Sequence, residues 1–216
     1  MENNFDQDAG VVSLLMDFAD LIIASLLWFL TSIPIITLGA STTALYSVVR
    51  TPGETRYSAS VFKNFFRAFL KNFKTATLAL LILLIPAAVV GVNVCLVVFG
   101  LLEQSIAGYV ICGVSILLFL FAWNYVFPLI AHFDNSVLKT LGNALVLSVA
   151  HLPTTILVTA LNLIPVLVLI FFTNFFFKTI IFWLFLAFGL IAKANSLLLE
   201  RVFRRYQPAE DLPASN

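Results

Sequence analysis

Charge is scarce in this sequence. Twelve Lys and Arg and eleven Asp and Glu make up only 11% of 216 residues, where ordinary soluble domains carry about 25%. The net charge is +1, so no field of one sign exists to gather nucleic acid. The only two cysteines, Cys95 and Cys112, cannot build a disulfide scaffold or a structural zinc site. They are expected as free thiols packed against helices or lipid, a contact across a hairpin about Glu103 being the alternative. His132 and His151 lack an i, i+4 partner and nearby acids at metal-ligand spacing. The sequence also lacks a Walker-type Gly-rich loop, GxSxG and HExxH, and no loop carries an acid–base constellation. No enzyme, catalytic residue, cofactor or metal site is expected.

What fills the sequence is apolar. Hydrophobic residues make up 61%, with 22 phenylalanines, and the mean hydropathy is +1.04. No soluble core of this length could bury that much apolar surface, so the class is membrane. The first twenty residues contain no Lys or Arg and no small-residue cleavage site; the apolar runs are expected to be mature spans, not a secretory signal.

Charge-free windows locate those spans, since a helix needs about 20 apolar residues to cross the hydrocarbon and must satisfy its backbone locally. The windows predict five transmembrane helices, at about 21–49, 75–102, 104–131, 153–174 and 179–199. Two further segments read as amphipathic interfacial helices. In the first, at about 59–74, Phe62, Phe65, Phe66, Phe69, Leu70 and Phe73 oppose Lys63, Asn64, Arg67, Lys71 and Asn72; such a helix is expected to lie in the membrane interface. The second, at about 135–150, carries a Leu138, Leu141, Leu145, Val149 stripe. Removing it leaves a fourth span that starts near Pro153, an acceptable first-turn position. The two segments share Ser-Val-x-Lys and an apolar spacing, a faint sign of an internal repeat. Together these readings make one all-α integral membrane domain over 1–216.

Orientation follows from the cations. Six (Arg50, Arg56, Lys63, Arg67, Lys71, Lys74) lie between the first two spans against one acid, Glu54, and the far side has only Lys178. Excess positive charge marks the cytoplasmic side. A plasma membrane protein with its N-terminus outside and its C-terminus inside is expected.

Several polar residues stand out. Pro34 and Gly39 break the first window, either as a kink with close helix packing or as an unwound segment that lines a path with Thr37, Ser41, Thr42 and Thr43. Arg50 and Asp134, followed by Asn135, sit at the same boundary and are expected to pair, tying two helices. Lys193 lies inside the last span and either snorkels to the interface or faces the bundle. Asn93, Asn124, Asn162 and Asn195 are intramembrane amides that glue helices; three of them around one cavity would form a ligand site. Lys63, Arg67, Lys71 and Lys139 make a candidate docking face.

Two stretches, TSIPIITLGASTTALYSVVR with VFKNFFRAFLKNFKTA, and NYVFPLIAHFDNSVLKTLGNALVLSVAHLP, resemble the YesL-like membrane family of Gram-positive bacteria, as does the tail IAKANSLLLERVFRRY. The likeness runs from about Leu21 to Tyr206. The matched positions are Gly39, Thr43, Ala44, Tyr46 and Arg50, then Pro128, Phe133, Asn135, Ser136 and Pro153. The family is a domain of unknown function, so no catalytic residue follows from it. Its members are often encoded beside sugar-uptake ABC transporters and polysaccharide-degrading enzymes. The resemblance therefore implies a non-enzymatic accessory or regulatory role in carbohydrate ABC uptake, docked on the transporter or its ATPase subunit. A small transporter or channel, alone or as a homo-oligomer, is the alternative, and a membrane-bound enzyme the third reading.

Overall fold

The computed structural model describes residues 2–50, 58–100 and 105–206; Glu54, Arg56 and Glu103 of the charge map lie outside them. The described chain is helical, with no strand in it. The helices are α1 (Glu2–Ser32), α2 (Leu38–Arg50), α3 (Ser58–Val98), α4 (Ile106–His132), α5 (Val137–Ala150), α6 (Leu152–Phe171) and α7 (Thr173–Lys178). The final stretch, Ile180–Tyr206, joins α8 (Ile180–Phe182), a π-helical turn (Trp183–Ala187), α9 (Phe188–Phe203) and a closing 3-10 turn. Five stretches are long and apolar enough to cross a membrane: Leu15–Ser32, Ser60–Val98, Ile106–His132, Leu152–Phe171 and Ile180–Tyr206. The chain is an all-α, multi-pass membrane protein.

The first window, read as a single span over 21–49 with a break at Pro34 and Gly39, is two helices. Pro34 lacks an N–H, its ring displaces the carbonyl of residue i−4, and it pushes Ile33 out of the α region. Accordingly α1 stops at Ser32, Pro34 is extended at φ −75° and ψ 117°, and a 3-10 turn over Ile35–Thr37 leads into α2. Carbonyls freed by the break are satisfied locally, as the Thr37 hydroxyl donates to Thr31 O and Pro34 O. Only the α1 half is long enough to span; α2 has 13 residues, about 20 Å of helix.

A second difference matters more for function. The basic segment at 59–74 is not a separate helix lying across the interface but the start of α3, which runs unbroken for 41 residues. At 1.5 Å per residue that is about 60 Å, twice the hydrocarbon thickness. Even tilted by about 40°, a helix crosses the hydrocarbon with about 26 residues. At least a dozen residues of α3 therefore stand outside the hydrocarbon, and Lys63, Arg67, Lys71 and Lys74 identify the N-terminal end as the excluded part. Nor does the phenylalanine face turn wholly to lipid. Val61 and Phe65 are fully buried, whereas Phe62 and Leu70 are exposed. At its far end α3 stops where Gly100 takes φ 68°, the left-handed conformation that terminates helices. Helix α4 begins at Ser105, whose hydroxyl accepts from Gly108 N, a normal N-cap.

α3 and α4 are antiparallel, with Lys71 joined to Asp134 at one end and Asn93 beside Gly108 at the other. The core fills only the basic half of this pair. On α4, Ala122 and Asn124–Ile130 are buried, but no residue of Ile106–Phe121 is. On α3, buried positions end at Leu83. α2 closes against this half. Gly39 lies so near Ala76 that a Cβ there would sit 2.5 Å from the Ala76 carbonyl oxygen and 3.0 Å from the Phe127 ring. Glycine lets two helix backbones approach in this way.

Candidate functional site

Three elements meet at the basic end. The last turn of α2 brings Tyr46 and Arg50, the end of α4 brings Pro128, Ala131 and His132, and α9 brings Ser196, Leu199, Glu200 and Phe203. These line a narrow, partly open cleft with room for about one water molecule. Arg50 Nη1 donates to His132 Nδ1, so that ring nitrogen acts as an acceptor. The His132 ring also packs on Phe133 and Phe203, at 4.6 and 5.3 Å between centroids. Burial pulls the Arg50 guanidinium below its ordinary pKa, and the nearby Glu200 carboxylate offsets part of that. Glu200 is itself paired with Arg204 at 2.9 Å. The cluster is a charge-compensated helix tie.

The expected Arg50–Asp134 pair does not form. Asp134 instead accepts from Lys71 Nζ with both oxygens, at 2.8 and 3.0 Å, on an exposed surface. Asp134 lies four residues beyond the buried Ile130, where α4 has already ended, and there it meets α3. Arg50 approaches from α2 and meets His132 first. Asn135 is exposed and outside the cluster. His151 contacts Tyr206 Oη at 3.2 Å, so His132, His151 and Asp134 each face a different partner. Among the described residues no three His, Cys, Asp or Glu side chains come together as a metal-binding group. Cys95 and Cys112 are free thiols.

A second polar system lies deeper. Asn195 Nδ2 donates to Asn162 Oδ1 at 2.7 Å, Asn162 Nδ2 to Asn124 Oδ1 at 2.9 Å, and Asn124 Nδ2 to Thr159 Oγ1 at 2.6 Å. Asn195 Nδ2 also reaches Tyr46 Oη at 3.3 Å. Beside this chain Tyr125 Oη bonds Thr155 Oγ1 at 3.0 Å, and Thr155 donates to Ser148 O at 2.7 Å. Three of the four intramembrane amides thus converge, on one another, and join α2, α4, α6 and α9; Asn93 stays at the far end of α3. Lys193 turns inward and donates to Val49 O at 2.7 Å, satisfying a carbonyl of the last α2 turn. Two buried oxygens in this region, Asn195 Oδ1 and Thr43 Oγ1, have no hydrogen-bond partner. The other hydroxyls of α2 are engaged: Ser41 bonds Thr37 O, and Thr42 bonds Leu38 O and accepts from Trp28 Nε1.

Glu200, Ser196, Tyr125, Thr155 and Thr159 were not singled out by sequence reasoning. Thr155, Thr159 and Asn162 recur at i, i+4 and i+7, one face of α6, and that spacing was the available signal. Nothing comparable marks Glu200. Of the expected docking cations, Lys63, Arg67, Lys71 and Lys139 are all exposed.

Residues 21–94 match the family described as Protein of unknown function, DUF624. The match takes in the last twelve residues of α1, all of α2 and most of α3, hence Gly39, Tyr46, Arg50 and the basic segment. No curated protein and no solved structure matches the chain.

Proposed function

We propose that this chain is a YesL-like, non-enzymatic accessory or regulatory protein of the bacterial plasma membrane that docks a carbohydrate ABC transporter, or its ATPase subunit, at its cytoplasmic face. The observation that carries this reading is the coaxial basic extension of α3. It extends past the hydrocarbon with Lys63 and Arg67 exposed at its outer end, and α2 and α5 pack against the same helix. The excess of Lys and Arg at that end supports reading it as the cytoplasmic side. The interior supports the reading too, because Asn124, Asn162 and Asn195 are bonded to one another and to Thr159 and Tyr46 across helices. Co-purification from membranes of cells grown on several sugars tests it. A transporter component should accompany the wild-type chain and be lost with Lys63→Glu/Arg67→Glu. Recovery of no transporter component on any sugar contradicts the reading.

One observation favours the alternative of a small transporter or channel, namely the two unpartnered buried oxygens of Thr43 and Asn195. Uptake in proteoliposomes that is lost in Asn195→Leu would support that reading instead.

A further inference from the structure

The exposed line of α3 changes chemistry along its length without changing face. At about 100° per residue, Lys63, Arg67, Leu70, Lys71, Leu78, Leu81, Ile85 and Val92 all fall within about 60° of Lys74. Leu78, Leu81, Ile85 and Val92 are 52%, 47%, 61% and 59% exposed, the surface that meets acyl chains in a membrane protein. Directly below them the same line becomes cationic. Lys74 is exposed and makes no ion pair among the described residues.

Depth separates these cations. Lys74 lies about 6 Å below Leu78, and Lys71 about 4.5 Å further along the axis. The headgroup layer is about 5–8 Å thick in each leaflet, so both fit within it once their side chains extend. Arg67 and Lys63 lie about 10 and 16 Å beyond Lys74, and a tilt of about 40° shortens these to about 8 and 13 Å, at and beyond the outer edge of that layer. Asp134 and Lys71 neutralise one another, so the uncompensated charge on this line at headgroup depth is that of Lys74.

We infer that Lys74 holds the phosphate of anionic phospholipids in the leaflet at the basic end, whereas Arg67 and Lys63 stand at and beyond the outer edge of the headgroups. The basic segment is then two-tiered, with an inner tier for lipid and an outer tier free for other contacts. This assignment does not depend on the transporter reading.

Electron spin resonance of spin-labelled phosphatidylglycerol and phosphatidylcholine tests it, using the full chain in phosphatidylcholine vesicles. The wild-type chain should immobilise phosphatidylglycerol preferentially. Lys74→Gln should reduce that preference by up to about fivefold, Lys74→Arg should restore it, and Lys63→Gln/Arg67→Gln should leave it unchanged. High salt should weaken it. No preference in the wild type, or a preference lost in Lys63→Gln/Arg67→Gln and kept in Lys74→Gln, overturns the inference; the second result would mean that the outer tier lies on the membrane. Lys74→Gln should still co-purify a partner, so failure here is separable from failure of the docking reading.

Discussion

The two halves of the α3–α4 pair are built on opposite principles. In the basic half, Phe65, Tyr125, Val126 and Phe127 are fully buried, and Gly39 seats one helix backbone on another. Here Asn124, Asn162, Asn195 and Tyr46 bond across four helices. In the opposite half, the described residues of α3 beyond Leu83 and of α4 before Ala122 are at most half-buried. Within a bilayer, apolar side chains gain little by leaving lipid for protein, so association rests on close packing and interhelical hydrogen bonds. Both devices are concentrated in the basic half. The arrangement of helices is fixed there, and the far half is free to be a lipid-facing rod.

Substitutions can break this comparison, and reversible unfolding of the purified chain in mixed micelles would rank them. Phe65→Ala empties a fully buried site and should cost the most, about 3–5 kcal/mol. Gly39→Ala comes next at about 1–3 kcal/mol, because its methyl meets the Ala76 backbone rather than a side chain that can turn away. Asn195→Ala unties Asn162 and Tyr46 and should cost about 0.6–1.7 kcal/mol, in the range of hydrogen bonds between membrane helices. Val92→Ala, on the exposed far half, should stay within about 0.5 kcal/mol of wild type. A Val92→Ala cost as large as that of Gly39→Ala would show that the far half is packed in a way this structure does not contain.

The contrast also marks what was legible in the sequence. Five apolar stretches followed from composition and charge alone, because in lipid only helices satisfy a spanning backbone. The break at Pro34 was legible for the same reason, as a position where the helix must lose a bond. The amides were visible singly, but their convergence was not, since it depends on how α4, α6 and α9 rotate against one another. The Arg50 partner was misjudged for a related reason. Two opposite charges at one boundary read as a pair, yet α2 delivers Arg50 to His132 and α3 delivers Lys71 to Asp134. Periodicity also could not say whether the basic segment lies flat or continues a span, because an amphipathic pattern is the same in both. That distinction rests on there being no break in α3 between Lys74 and Leu78, and it sets which cations meet lipid and which stand free.

Site-specific photo-crosslinking in native membranes, with the reactive side chain placed in turn at Arg67 and at Val92, tests the central claim most directly. The account predicts an adduct with a transporter component, foremost its ATPase subunit, from position 67 and none from position 92. Adducts from position 92 alone, or lipid adducts alone from position 67, would contradict it.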